Sequence, residues 1–169
     1  MPDDLVPPVP GELQREESPV AEQMTMLERL TAIEDIKQLK ARYFRLLDQH
    51  KWDDFAALFS STLVVEIAES TSGPKDRDTF VQSVRSHLDN AVTVHQGHTP
   101  EITIIDADHA SGIWAMFDLV EPPADSEFPL LTGYGHYLDD YVREDGEWRI
   151  SRLELTRIKR STSFERATH

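Results

Sequence analysis

The chain has 169 residues, enough for one domain with a buried core, and no run of about 18 apolar residues that would suit a membrane-spanning helix. Its formal net charge of −14, from 31 acidic against 17 basic residues, opposes nucleic-acid binding, since the only basic cluster is Arg157, Lys159 and Arg160. The absence of cysteine excludes disulfides, thiol nucleophiles and thiolate metal sites together.

Residues 1–24 hold five of the ten prolines and six acids against the single base Arg15. So few large apolar side chains cannot offset the entropy of ordering, and an extended or disordered arm is expected, with draping over a partner subunit as its functional alternative. Asp3 and Asp4 stand where a signal peptide needs basic residues. The expectation is a cytoplasmic protein with a single domain over 25–162 and a tail over 163–169.

A long helix should start near Thr25. Thr25-x-x-Glu28 and Thr31-x-x-Glu34 both match the capping box, which leaves its first turn open. Leu27, Leu30, Ile33, Ile36, Leu39, Tyr43 and Leu46/Leu47 then recur at spacings of three and four, one apolar stripe. Glu34, Lys37, Lys40 and Arg45 are assigned to the opposite, polar face. The helix runs out at Asp48-Gln49-His50, where a carboxylate opposes the macrodipole. Asp48 is therefore either a turn or capping residue or a group kept there for chemistry. A short helix over 51–59, a strand over 63–68, a loop over 70–74 and a third helix over 78–88 follow.

The remainder is β. Strands are expected over 93–105, 110–120, 131–142 and 148–158, with a turn at 106–108 and a longer acidic loop at 122–129. Asp145-Gly146 suits a type I′ hairpin turn. Helices first and antiparallel hairpins afterwards give an α+β fold, a curved sheet wrapped against helices around a cone-shaped cavity.

Three residue types in this pattern suit proton transfer. A neutral imidazole at His95 would take a proton from an activated carbon, a carboxylate at Asp48 would fix its tautomer, and a phenol at Tyr43 would donate to a developing enolate. Tyr43 and Asp48 are about 140° apart around the helix, so one cavity serves both only if it wraps the helix end. His95 and His98 point to opposite faces of their strand, which argues against a shared metal, and no metal site is expected. Tyr134 and His136 share one strand face, Tyr137 and Asp139 the other, with the inward face undetermined. No phosphate-binding loop or Gly-x-Ser-x-Gly elbow is present.

The run Ile33-Glu34-Asp35-Ile36-Lys37-Gln38-Leu39-Lys40-Ala41-Arg42-Tyr43-Phe44-Arg45-Leu46-Leu47-Asp48, followed by Trp52-Asp53, resembles the opening of SnoaL-like proteins of the nuclear transport factor 2 superfamily. His95-x-Gly97-His98-Thr99-Pro100-Glu101-Ile102, then Gly112-x-Trp114, and Tyr141-x-x-x-Asp145-Gly146-x-Trp148 continue the match over residues 26–160. Within the superfamily the pattern resembles the bile-acid 7α-dehydratases. The resemblance implies a cone-shaped α+β barrel and a lyase without a cofactor. Asp48 and His95 fall on the catalytic dyad of those dehydratases, of scytalone dehydratase and of hexachlorocyclohexane dehydrochlorinase. Tyr43 falls on the tyrosine that holds the substrate ketone, and Arg157 on an arginine near that site. Ile67 replaces a second pocket tyrosine, and the loop Glu121–Pro129 lacks a tyrosine of its counterpart.

The expected substrate-binding set is His98, Trp114, Tyr137, Arg157 and Ile67, with His98 or Tyr137 assisting departure of hydroxide; strand alternation alone leaves His98 structural. The implied partners are a hydrophobic small molecule and further copies of the chain, a trimer being the family's common form. The leading expectation is a dehydratase acting on a hydroxylated keto-steroid or similar ring system. The alternatives are a ketosteroid or polyketide isomerase or cyclase using the same dyad, and a non-catalytic binding or assembly module.

Overall fold

The computed structural model describes residues 24–67 and 75–164. The expected arm (Met24 apart), the 70–74 loop and residues 165–169 of the tail lie outside the described residues. The elements run α1 (Met26–Asp48), α2 (Trp52–Ala56), β1 (Phe59–Ile67), α3 (Arg77–Leu88), β2 (Val92–Ile104), β3 (His109–Glu121), β4 (Leu130–Glu144) and β5 (Glu147–Ser163). This is the expected α+β order.

Thr25 caps α1 as a complete capping box: its hydroxyl accepts from the Glu28 amide, and Glu28 Oε2 accepts from the Thr25 amide at 2.8 Å. The other end closes as a Schellman turn. His50 takes a positive φ of 55°, its N–H donates to the Leu47 carbonyl at 3.1 Å, and the Lys51 N–H donates to Leu46 at 2.9 Å. That reversal leaves the last helical residue, Asp48, facing the sheet.

The five strands form one sheet in the order β1-β5-β4-β3-β2, antiparallel except for β1, which runs parallel to β5. The parallel edge was not expected from hairpin patterns, because a crossover pairing leaves no local turn signal. The sheet curls around the helices but keeps β1 and β2 as its edges, so the cone is open rather than a closed barrel. Asp145 and Gly146, at φ 52° and 81°, make the β4–β5 turn with both central residues left-handed, as type I′ requires. In β2 the register shifts between His98 and Glu101, where Thr99 has φ 39°. Pro100 sits in that irregularity, where a missing donor does no harm.

The core packs Ile36, Leu39, Tyr43 and Leu47 of α1 against Phe55, Phe59, Phe80, Tyr137, Tyr141, Ile150 and Leu153. Two sequence expectations need correction. Leu27 and Leu30 project to the surface, 73% and 56% exposed. Lys40 is fully buried, not on the polar face, and its Nζ lies 2.6 Å from Asp139 Oδ2 on β4. Tyr141 Oη donates to the same Asp139 oxygen at 2.8 Å, and Trp114 Nε1 donates to Tyr141 Oη at 2.9 Å. The ammonium also lies over the Tyr43 and Tyr137 rings, at 4.3 and 4.0 Å from their centroids. Burial pushes Lys40 down and Asp139 up, each partly offset by the other's charge.

Removing one member of this pair strands the other without water. Lys40→Met is expected to destabilise the fold by about 3–5 kcal/mol in denaturant unfolding, whereas Lys40→Met combined with Asp139→Leu recovers much of the loss.

Candidate functional site

Inward-facing residues of the sheet and the helices enclose a cavity of about 800 Å³. Tyr43 and Leu47 come from α1, Ile67 from β1, Phe80, Val84 and Leu88 from α3, and Leu153 and Leu155 from β5. Pro122, Pro123, Phe128 and Pro129 of the β3–β4 loop form part of its rim. The walls are mostly apolar, and His95, Asp118, Tyr43, Tyr137 and Arg157 supply the polar groups that line its inner part.

His95 is held from one side. Its Nδ1 lies 2.7 Å from Asp48 Oδ1, its own backbone N–H donates to Asp48 Oδ2 at 2.9 Å, and the Thr93 hydroxyl donates to Oδ1 at 2.9 Å. A carboxylate only accepts, so Nδ1 carries a proton, and in the neutral imidazole the lone pair is on Nε2. Nε2 has no protein hydrogen bond among the described residues, and the ring lines the cavity. Thr93 was not singled out from the sequence, although a residue two before His95 in a strand must share its face. The cavity does not reach around the helix end to both side chains: Tyr43 lines it directly, while Asp48 does not and meets it only through the imidazole in front of it.

Across the β2–β3 ladder the register partner of His95 is Asp118, and across β3–β4 the partner of Asp118 is Gly133. Arg157 reaches from β5 over that glycine and grips Asp118 with two bonds, Nη1–Oδ1 at 2.8 Å and Nη2–Oδ2 at 2.7 Å. Arg157 Nη1 also approaches the Met116 sulfur at 3.6 Å. A Cβ on Gly133 would stand 2.1 Å from Arg157 Nη1 and 2.3 Å from Asp118 Oδ1. Glycine is there because the ion pair occupies the space. Strand alternation puts Asp118 on the face of Trp114 and Met116, but its position opposite His95 depends on a register that one strand cannot disclose.

Tyr43 and Tyr137 meet edge to face, ring centroids 5.9 Å apart. Burial, then the neighbouring Tyr137 and Asp139, push the Tyr43 phenol well up, and burial followed by Asp118 pushes Tyr137 up. Both hydroxyls therefore stay protonated through ordinary pH and remain donors.

Of the other expected residues, Tyr137, Arg157 and Ile67 line the cavity, with Tyr137 and Asp139 on the inward face of β4. His98 does not. It lies on the outer face of β2, exposed and opposite Ala115, because three residues separate it from the inward His95. Trp114 is buried in the core, its indole bonded to Tyr141, and does not reach the cavity wall. Among the described residues no group of three metal-binding side chains comes together. No helix among them is long and apolar enough to cross a membrane.

An α+β cone with helices closing one side of a curved sheet and a polar cluster at its inner end is the nuclear transport factor 2-like architecture. Residues 28–154 match the SnoaL-like domain family, to which the chain belongs. Solved structures share the fold at low identity. A candidate scytalone dehydratase from Novosphingobium aromaticivorans DSM 12444 superposes with a TM-score of 0.72 at 23% identity, over 85% of this chain and 95% of that one. Hexachlorocyclohexane dehydrochlorinase LinA-type3 from Novosphingobium barchaimii LL02 gives 0.69 at 17% identity, over 82% and 94%. The Kfla4162 protein from Kribbella flavida gives 0.71 at 20%, over 79% and 95%.

Gly133→Ala tests the packing of the Asp118–Arg157 pair. The added methyl group must displace the guanidinium, so thermal unfolding is expected to show a loss of about 1–3 kcal/mol. A variant as stable as the parent would mean that the pair yields without cost.

Proposed function

We propose that this chain is a cofactor-independent lyase, a dehydratase that removes water from a hydroxylated keto-steroid or a similar apolar ring system. One observation carries the reading: His95 gives Nδ1 to Asp48 and turns an unbonded Nε2 toward an apolar cavity of about 800 Å³. Pockets of roughly 300–1,000 Å³ take ligands of drug size, so several fused rings fit. The dehydratase and dehydrochlorinase names among the structural neighbours support elimination chemistry without specifying its substrate.

The proposed step uses the residues that meet at the inner end of the cavity. Nε2 of His95 takes a proton from the carbon beside a conjugated ketone, and the C–H electron pair moves into the ring as an enolate. Asp48 steadies the imidazolium that forms, its charge compensating the new cation. The Tyr43 hydroxyl, kept protonated by burial, donates to the enolate oxygen. Collapse of the enolate forms the carbon–carbon double bond and breaks the C–O bond, and the departing hydroxide takes a proton to leave as water. Tyr137, which also lines the cavity, is the donor we assign to that departure. His98 has no part in it, since its side chain lies on the other face of the sheet.

The protein is to be incubated with hydroxylated conjugated keto-steroids in deuterated buffer and the products read by mass spectrometry. Loss of one water is expected, with His95→Ala slower by about 10²–10⁴-fold and Asp48→Asn reduced in the same direction. Deuterium incorporation without loss of water would assign the dyad to isomerisation or cyclisation instead. Full activity in either folded variant would rule out the dyad.

A further inference from the structure

The register row that begins at His95 does not stop at Gly133. The partner of Gly133 on β5 is Arg160, so His95, Asp118, Gly133 and Arg160 form one inward row across four strands. Arg157 and Arg160 are three residues apart and would face opposite ways in a regular strand. The register shift in the β4–β5 ladder, opposite Tyr134 and Gly135, takes up one residue and turns both guanidines to the cavity.

The two are not in the same state. Asp118 neutralises Arg157 at the inner end. Arg160 lines the outer part of the cavity, exposed, with no ion pair or hydrogen bond among the described residues. In a chain with 31 carboxylates against 17 cationic side chains, an arginine with no acid partner among the described residues, beside an apolar cavity, is unusual. Leu131 and Phe128 also line the cavity and repay no charge. Asp125 is the rim carboxylate, and it makes no ion pair with Arg160. His87 of α3 also lines the cavity, its Nδ1 on the Ser83 carbonyl at 2.7 Å, which leaves its Nε2 unengaged.

We propose that the cavity takes an apolar ring ligand carrying a carboxylate at its outer end, and that Arg160 binds that carboxylate. Three inter-strand steps of about 4.8 Å put the His95 and Arg160 backbones roughly 14 Å apart along the sheet, which sets the distance between the reacting carbon and the anion. Arg160 is thus a length gauge as well as a charge: a ligand of several fused rings reaches both ends, and a single ring does not. The inference rests on the reading of the cavity as a ring-substrate site, but it concerns binding and needs no turnover.

The test measures equilibrium binding of 3-oxo-androst-4-ene-17β-carboxylic acid and of its methyl ester to the full chain by calorimetry. The carboxylate is expected to bind about five- to tenfold more tightly than the ester at low salt, with the preference shrinking as ionic strength rises. Arg160→Gln is expected to bind the two alike, and Arg160→Lys to keep part of the preference. Equal affinity for acid and ester in the parent protein, or a preference that survives Arg160→Gln, overturns the anion site and leaves the elimination reading intact. Failure of both steroids to bind overturns the ring-substrate reading and this inference with it.

Discussion

The Asp48 carboxylate ties the first helix to the second strand, and the arrangement of the site depends on it. It ends α1, where its charge opposes the helix dipole, and that position would be unfavourable without compensation. Compensation comes from β2, through the Thr93 hydroxyl, the His95 amide and the His95 imidazole, all within 2.9 Å. The same three contacts seat the helix on the sheet edge and fix the imidazole with one nitrogen covered and the other open. The Schellman turn at His50 makes this possible by reversing the chain immediately after the helix.

A second layer of charge lies deeper. Two ion pairs, Lys40–Asp139 and Arg157–Asp118, stand on either side of the Tyr43 and Tyr137 rings, the first sealed in the core and the second on the cavity wall. Such pairs rarely add net stability over apolar residues of the same shape, but removing one partner leaves a buried charge uncompensated. Here they flank two phenols that stay protonated and line the cavity. The site is therefore an apolar chamber with its polar groups gathered at the inner end, where a developing charge would be screened from water.

Much of this was legible in local sequence. The Thr25-x-x-Glu28 box, the Asp145-Gly146 turn and the opposed faces of His95 and His98 each rest on contacts within a few residues, and each stands in the structure. What escaped depends on register or on burial of a charge. Lys40 lies four residues after Ile36 and three before Tyr43, on the apolar stripe by spacing, yet its charge argued for the polar face until Asp139 supplied a partner. Asp118 and Arg160 enter the site through cross-strand pairing with His95 and through a bulge in β5, neither of which leaves a local pattern. Trp114 misled because a family motif marks a residue as structurally important without saying what it touches; here it braces Tyr141.

The most direct measurement is the tautomer of His95, read by nitrogen-15 NMR of the imidazole at neutral pH. A proton on Nδ1 and a lone pair on Nε2 are expected, with loss of that preference in Asp48→Asn. A proton on Nε2 in the parent protein, or a tautomer indifferent to Asp48, would contradict the Asp48–His95 dyad.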